Sequence, residues 1–552
     1  MTRAVPVPIL VLLAVLLWLP RLRGPIDLRY DAGVYYVLGT SLATGSGYRL
    51  LSEPGAIQAI QYPPLLPLFA AAHQWLAGSA DVATAGHWLR LTAALVFLAY
   101  VVSVHSLARD HVSRGAAFLV ALMTLLQLQT VWLSDLLFAE IPFALVTMLF
   151  LRSAARSRRG AGWLAGVLGA AAFLLRTMGL ALLGAWIADS LLRRRWRRAA
   201  GRAALALVPI LAWQAYVAHV RDSVEYTKPA YAYQRASYQY YNVSYVENLA
   251  HIDSFVPELG KVSPELLATR AARNLLGMPI RWGEAVSVRA AWAAGPLAGI
   301  NRRAGPLRVP AWTTDIVLGA LGCVVLIGLV VLGLRGETLI PLYVAGSAVL
   351  MSVTPWPGQF GRYLAPLTPL FAIALFVALG EATHLSRLPR AARRCVAALG
   401  VVTFATVLAS EVAVLLHVYV AEHQPATYED AAGQRRAYRL FFYRQAWQQY
   451  DAALDWLRHE ASPQAVVATS TPHWVYVRTG LHAVMPPFVP DVAEAERLVE
   501  SVPVEYLIVD DLEFVDVTRR YAAPVVQAFP ERWALIHSTP DGGTRIYRRT
   551  AR

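Results

Sequence analysis

Asp31-Ala-Gly-Val-Tyr35-Tyr36 and Tyr62-Pro63-Pro64-Leu-Leu-Pro67, with Gly45-Ser-Gly47-Tyr48 between them, lie in a polar stretch directly after the first hydrophobic run of the chain. That run, 5–20, follows Arg3 and ends in Leu19-Pro-Arg-Leu-Arg23 with no small-residue cleavage site, so it reads as a retained membrane span and not as a signal peptide. A carboxylate just beyond a first span is placed to do chemistry at the membrane face. The remaining sequence decides whether there is a membrane at all.

Of the 552 residues, 57% are hydrophobic, and mean hydropathy is +0.43. The apolar residues gather in helix-length runs, the composition of a polytopic membrane protein. The runs are 5–20, 88–108, 115–133, 138–151, 161–176, 178–192, 200–220, 313–334, 338–354, 363–380 and 396–420. They predict about 11 transmembrane helices, the shorter ones extended by their flanks across a core of ~30 Å. A formal charge of +14 could suggest nucleic acid, but the arginines cluster in short loops between apolar runs, which is the cytoplasmic signature of topology. No nucleic-acid partner is expected. The two cysteines, Cys323 in an apolar run and Cys395 beside a basic loop, support neither a disulfide framework nor a Cys-based metal site.

Basic loops follow every even-numbered run: Arg109 and Arg114, then Arg152 to Arg159, Arg193 to Arg198, Arg335, and Arg387 to Arg394. All are cytoplasmic if the N-terminus is inside and 21–87 is one external loop. The pieces 31–43 and 65–76 are then too short to span and are expected as helices lying in the interface. The same parity puts 221–312 and everything after about 421 outside. The long 221–312 loop, rich in tyrosine (Tyr231, Tyr233, Tyr238, Tyr240, Tyr241, Tyr245), carries no strong regular pattern, and loops of that kind are usually functional or disordered. The tail is different material. A helical pattern over 438–460 gives way to strand-like runs 465–469, 506–510, 533–539 and 544–549 alternating with helical stretches 491–502 and 514–529. The expected domains are a transmembrane body, 1–420, and an α/β domain, 421–552.

Asp31 is a candidate general base, but from spacing alone an acid capping the helix that begins there is the better reading. Asp135 and Glu140, between the third and fourth runs, could orient an acceptor, hold a metal with Asp31 or pair with Arg176; they could equally be solvated loop acids, and Glu140 with Pro142 suits a helix start. Arg362 offers a permanent charge and a planar fork suited to phosphate, against the plain alternative of an interfacial arginine reaching lipid headgroups. Arg176 reads as a turn residue. His73 and His87 form no spaced pair that would support a metal. No glycine-rich phosphate loop supports a nucleotide-sugar donor.

Asp31-x-x-x-Tyr35, Gly45-x-Gly47-Tyr48 and the Tyr62-Pro63-Pro64-Leu run together resemble the first outer loop of the GT-C glycosyltransferases, in particular their protein-mannosyltransferase and lipid A aminoarabinose-transferase branch, the family 39-like group. Gly361-Arg362-Tyr363-Leu-Ala-Pro-Leu-Thr-Pro369 resembles that family's Arg-Tyr-Leu-x-Pro motif at the outer start of a late span. Arg176 in Leu-Leu-Arg-Thr-Met-Gly-Leu is a weaker match to an Arg-x-x-Gly-Leu pattern.

The resemblance covers about the first 420 residues and reverses the order for Asp31, from cap to catalytic base. It implies a sugar donor linked to polyprenyl phosphate, an extracytoplasmic glycan, lipid or protein acceptor, Arg362, Tyr363 and Arg176 at the donor phosphate, and a bacterial cytoplasmic (inner) membrane location with the site facing outside. One carboxylate as base gives a single inverting displacement. Many relatives carry two adjacent acids where this chain has Asp31-Ala32, so a divalent metal held by such a pair is in doubt. An inactive GT-C homologue is a further reading. The rival from another class is a lipid or solute transporter or flippase. Against it stand few charges within the spans and no broken-helix pair repeated in two halves. The 221–250 segment is expected to close over the Asp31 loop when substrate binds, and the tail to influence acceptor choice without supplying the base.

Parity makes a prediction that can be checked directly. Cysteines placed in 109–114, 152–160 and 193–198 should label only from the cytoplasmic side, and cysteines near Asp31, Asp135, Arg362 and in the tail only from outside. A cytoplasmic tail overturns the topology.

Overall fold

A computed structural model describes residues 6–156, 162–292, 310–384, 389–429 and 433–550. Arg158, Arg159, Arg387 and the 293–309 part of the long loop lie outside these residues. Apolar segments surrounded by lipid must satisfy their own backbone groups, and the helix does so within one segment. Each of the apolar runs accordingly falls on helix. Val82–Ala108, Trp196–Arg221, Trp312–Leu334, Pro357–Ala382 and Ala397–Glu422 are long and apolar enough to cross a membrane; Gly162–Leu175, Gly179–Leu192 and Leu339–Ser352 are shorter. The run read as one span over 115–133 is instead two helices, Arg114–Leu126 and Leu128–Asp135, bent by 55°. Gln127 sits at the break in extended conformation, donates to the Ala285 carbonyl and accepts from Thr130. A polar side chain buried at the bend thus replaces contacts that the interrupted ladder gives up.

The chain divides into two compact units. The first comprises Met1–Leu22, Leu91–Ile210 and Glu265–Ala421. It holds most of the apolar helices, whose outward faces carry exposed Leu205, Leu207, Val208, Ile316, Val317, Ile327 and Val330, as lipid-facing surfaces do. The 221–312 segment was expected to lack regular structure, but Pro264–Ala285 is a 22-residue helix. Charged residues interleave its apolar stripe, which hides it from a reading based on apolar runs. Glycines set its closest approach to the Ala311–Leu334 helix. A Cβ at Gly283 would lie 2.0 Å from the Leu318 carbonyl oxygen, and one at Gly322 1.8 Å from that of Pro279.

The second unit comprises Arg23–Arg90, Leu211–Pro264 and Glu422–Arg552. The expected helices appear as Asp31–Ala43 and Leu65–Ala77. The first buries its apolar residues Ala32 to Leu38 inside the protein, so its apolar face is spent on protein contacts; only the second exposes a face, at Leu68, Trp75 and Leu76. They cross closely at Gly39 and Ala70. The tail opens with an antiparallel hairpin, β1 (His423–Glu429) and β2 (Arg435–Phe441). Residues 438–441, expected as helix, are therefore strand, and the helix begins at Gln445. A five-stranded sheet follows from β3 (Val466–Ala468), β4 (His482–Val484), β5 (Val504–Asp510), β6 (Trp533–Ser538) and β7 (Thr544–Arg549), in the order β4-β3-β5-β7-β6. β3 is parallel to both β4 and β5, while β7 is antiparallel to β5 and β6.

The glycine contacts separate two kinds of substitution. Gly322→Ala should lower the melting midpoint in detergent by an overpacking cost of about 1–3 kcal/mol, because its neighbour is backbone and cannot turn aside. Gly319→Ala, whose Cβ would meet only Ile280 Cγ1 at 3.6 Å, should melt no lower than the unaltered chain. Equal midpoints for the two would show that the helices are not held at that distance.

Candidate functional site

In the second unit Tyr30, at φ 59°, takes the capping position of the Asp31–Ala43 helix, and Asp31 is its first helical residue. Asp31 is half-buried, not the exposed cap that spacing suggested. Its Oδ1 accepts a 3.2 Å hydrogen bond from the hydroxyl of Tyr241, a residue of the tyrosine-rich segment. Tyr35 and Tyr62 meet ring to ring at 4.8 Å. Tyr48 donates to the Tyr62 carbonyl at 2.9 Å and packs edge-on against Tyr216. Gly45 and Gly47 both have positive φ, which explains why glycine stands at both positions of that motif. Pro63 is buried, and Pro64 is the capping residue of the Leu65–Ala77 helix. The outer-loop motif is thus a turn with an aromatic wall.

Three residues that the sequence did not single out complete this corner of the second unit. Tyr241 meets His473 edge to face, with ring centroids 4.7 Å apart. His473 Nδ1 shares a 2.7 Å hydrogen bond with Ser52 Oγ, and its Cβ lies 3.4 Å from where a Cβ on Gly33 would stand. Burial pushes the His473 imidazole down to about 3, so the ring is neutral at physiological pH. Its folded value lies below that of a free histidine, so its contribution to stability is present above about pH 6.5 and is lost as pH falls toward 3. Tyr241 stood among five other tyrosines and His473 in a tail read as separate material, so nothing in the chain marked either one.

In the first unit Glu140 is fully buried and pairs through Oε1 with both Arg176 and Arg362. Arg176 lies over the Tyr363 ring at 5.5 Å, and Arg362 over Phe138 at 4.1 Å. Two motif residues, Arg176 and Arg362, thereby converge through their guanidiniums on one carboxylate, with Tyr363 under the first. Asp135 is 1% exposed and lies 3.9 Å from Arg21, whose guanidinium also donates to the Val131 carbonyl at 3.0 Å. Both acids are therefore buried, and the solvated-loop reading fails for each.

Among the described residues no three His, Cys, Asp or Glu side chains converge as a metal site. Asp31 has Ala32 beside it and a phenol on its carboxylate, a set that does not fit a cation held by paired acids.

No family model and no curated protein matches the chain. Among solved structures it is similar to the oligosaccharyltransferase of Archaeoglobus fulgidus in its apo form, at 13% identity over 99% of this chain and 74% of that one, with a TM-score of 0.54. The same protein in complex with zinc and sulfate gives 14% identity, 99% and 73% coverage, and a TM-score of 0.51. ArnT from Cupriavidus metallidurans bound to undecaprenyl phosphate gives 15% identity, 99% and 98% coverage, and a TM-score of 0.49. The chain has the GT-C fold, a helical membrane architecture with small sheets toward its C-terminus.

The shared carboxylate has a measurable consequence. Glu140→Ala leaves two nearly buried guanidiniums facing each other, and removing one partner of a buried pair typically costs about 3–5 kcal/mol. Unfolding in detergent should show a loss of that order, while Glu381→Ala, on the half-exposed pair with Arg335, should cost about 1 kcal/mol or less. Similar small losses for both would mean that Glu140 does not hold the two arginines.

Proposed function

We propose that this chain is an integral-membrane glycosyltransferase that moves a sugar from a polyprenyl-phosphate carrier to a hydroxyl of an acceptor outside the cytoplasm. The observation that carries the reading is a half-buried carboxylate, Asp31, at the start of a helix in the segment after the first apolar run of a chain with the GT-C fold. The resemblance of the outer-loop and Arg362 motifs supports it.

The chemistry needs few parts. The acceptor oxygen attacks the anomeric carbon, its proton passes to Asp31, and the bond from that carbon to the phosphate oxygen breaks with both electrons leaving on the polyprenyl phosphate. Attack opposite the leaving group inverts the configuration. Arg362 and Arg176, oriented by Glu140, supply the charge that stabilises the departing phosphate; a guanidinium can bind it with two parallel hydrogen bonds. Tyr363, under Arg176, helps hold that fork. The basic loops between spans support a cytoplasmic-membrane location with this chemistry on the outer side.

With the purified chain in detergent and a panel of undecaprenyl-phosphate sugars, Asp31→Asn should lower transfer ~10²–10⁴-fold, the usual loss with a general base. Binding of undecaprenyl phosphate should persist. Arg362→Lys keeps the charge but loses the planar fork, so it should weaken that binding, and Arg362→Ala should weaken it more. Undiminished transfer by Asp31→Asn removes Asp31 as base, and identical binding by all three Arg362 proteins returns that residue to headgroup anchoring.

A further inference from the structure

The second unit holds two polar atoms beside the Asp31 corner that its own fold does not use. The Tyr62 hydroxyl and His473 Nε2 are both buried and have no hydrogen-bond partner among the described residues. Burying an unsatisfied hydroxyl or ring nitrogen typically costs about 1–3 kcal/mol, so two such atoms in one corner point to something that binds there. Tyr62 packs on the same apolar cluster as Tyr241, formed by Val34, Leu38, Leu50, Ile57 and Ala59. The electrostatic influence of Asp31 reaches the Tyr62 phenol, although burial is the larger cause of its upward displacement. Tyr241 bonds one oxygen of Asp31 and packs its edge on His473.

We infer that Asp31, Tyr62, Tyr241 and His473 form a subsite for the acceptor hydroxyl, in which Tyr241 positions the carboxylate and Tyr62 with His473 receives the substrate. This inference rests on Asp31 being the base. The chemistry selects the ligand class. The attacking atom must give a proton to the carboxylate and be bonded by a phenol, which donates or accepts, and by a neutral imidazole, whose tautomer decides which it does. A hydroxyl oxygen does both. An ammonium has no lone pair with which to attack. A phosphate accepts only and meets the carboxylate with like charge. A carboxamide donates from nitrogen and accepts at oxygen, so it cannot meet both demands at one atom. The subsite therefore fits a neutral polyhydroxy acceptor, a sugar or another alcohol. The acceptor proton passes to the Asp31 carboxylate. Ser52 holds the imidazole through Nδ1, so the tail enters the subsite through His473 although the carboxylate lies in the segment after the first apolar run.

The test works with an unidentified acceptor. In cells lacking the chain, each variant is expressed, and the surface glycan or glycolipid ion that appears only with the unaltered chain is quantified by mass spectrometry per folded molecule in the membrane. Tyr62→Phe and Tyr241→Phe keep their rings and lose one oxygen each. Each should lower that ion at least tenfold, with the melting midpoint in detergent unchanged or raised for Tyr62→Phe and lowered for Tyr241→Phe no more than for Tyr231→Phe. Tyr231→Phe is the control. Its hydroxyl bonds buried Glu53 at 2.7 Å, so it should lower the midpoint and leave product per folded molecule unchanged. An ion lost with Asp31→Asn but kept at full level by both Tyr62→Phe and Tyr241→Phe overturns the subsite and leaves the base in place. An ion that survives Asp31→Asn overturns the base and the subsite with it. A product on an amine, amide or phosphate acceptor overturns the ligand class.

Discussion

A guanidinium withdrawn from water must have its donors answered, and in the second unit Arg29 has. It is 0% exposed. Nε and Nη2 reach both oxygens of Asp27 at 2.7–3.2 Å, Nη2 also donates to the Phe441 carbonyl at 2.7 Å, and Nη1 donates to the Phe442 carbonyl at 3.2 Å. A charge this deep is tolerable only with such a set. Because the carbonyls belong to the end of β2, the polypeptide immediately before Asp31 is bound to a strand that lies some 400 residues later. Tyr30, between Arg29 and Asp31, then takes a positive φ that few residues other than glycine adopt. The Asp31 corner inherits its geometry from this anchor. Ala483 N–H donating to the Ser52 carbonyl at 2.8 Å ties β4 to the same loop.

The first unit solves a related problem at Glu140. One buried carboxylate answers two arginines far apart in sequence, 176 and 362, and so brings both guanidiniums to one point. Membrane interiors make such pairs expensive to break and so fix the side chains that take part. In both units the residues assigned chemistry are held by charge pairs that the surrounding fold has removed from water.

The helices were legible because lipid demands long uninterrupted apolar runs, and those runs are visible without any partner. The bend at Gln127 was not, since a single polar residue in a run of that kind reads as tolerated. The Pro264–Ala285 helix hid behind its charges. In the tail the periods of β3, β5, β6 and β7 showed, but β4 and the β1–β2 hairpin did not: Tyr438 to Phe441 continue into a helical pattern that begins only at Gln445. The Asp31 and Arg362 motifs stood out through resemblance, while Tyr241, Ser52 and His473 could not, because their meeting depends on which distant segments return to the first loop. Pairings across hundreds of residues leave no local period. Arg29 and Arg21, both buried, looked like ordinary flanking charges for the same reason.

The account turns on the transfer of a sugar from a lipid carrier to an acceptor outside the cytoplasm. Paired mass spectrometry of surface glycans, glycolipids and polyprenyl-phosphate sugars, from cells with and without the chain, tests that most directly. The account predicts that without the chain one surface species loses a sugar residue while a polyprenyl-phosphate sugar of the same composition accumulates. Unchanged surface species and an unchanged lipid-linked pool would contradict it.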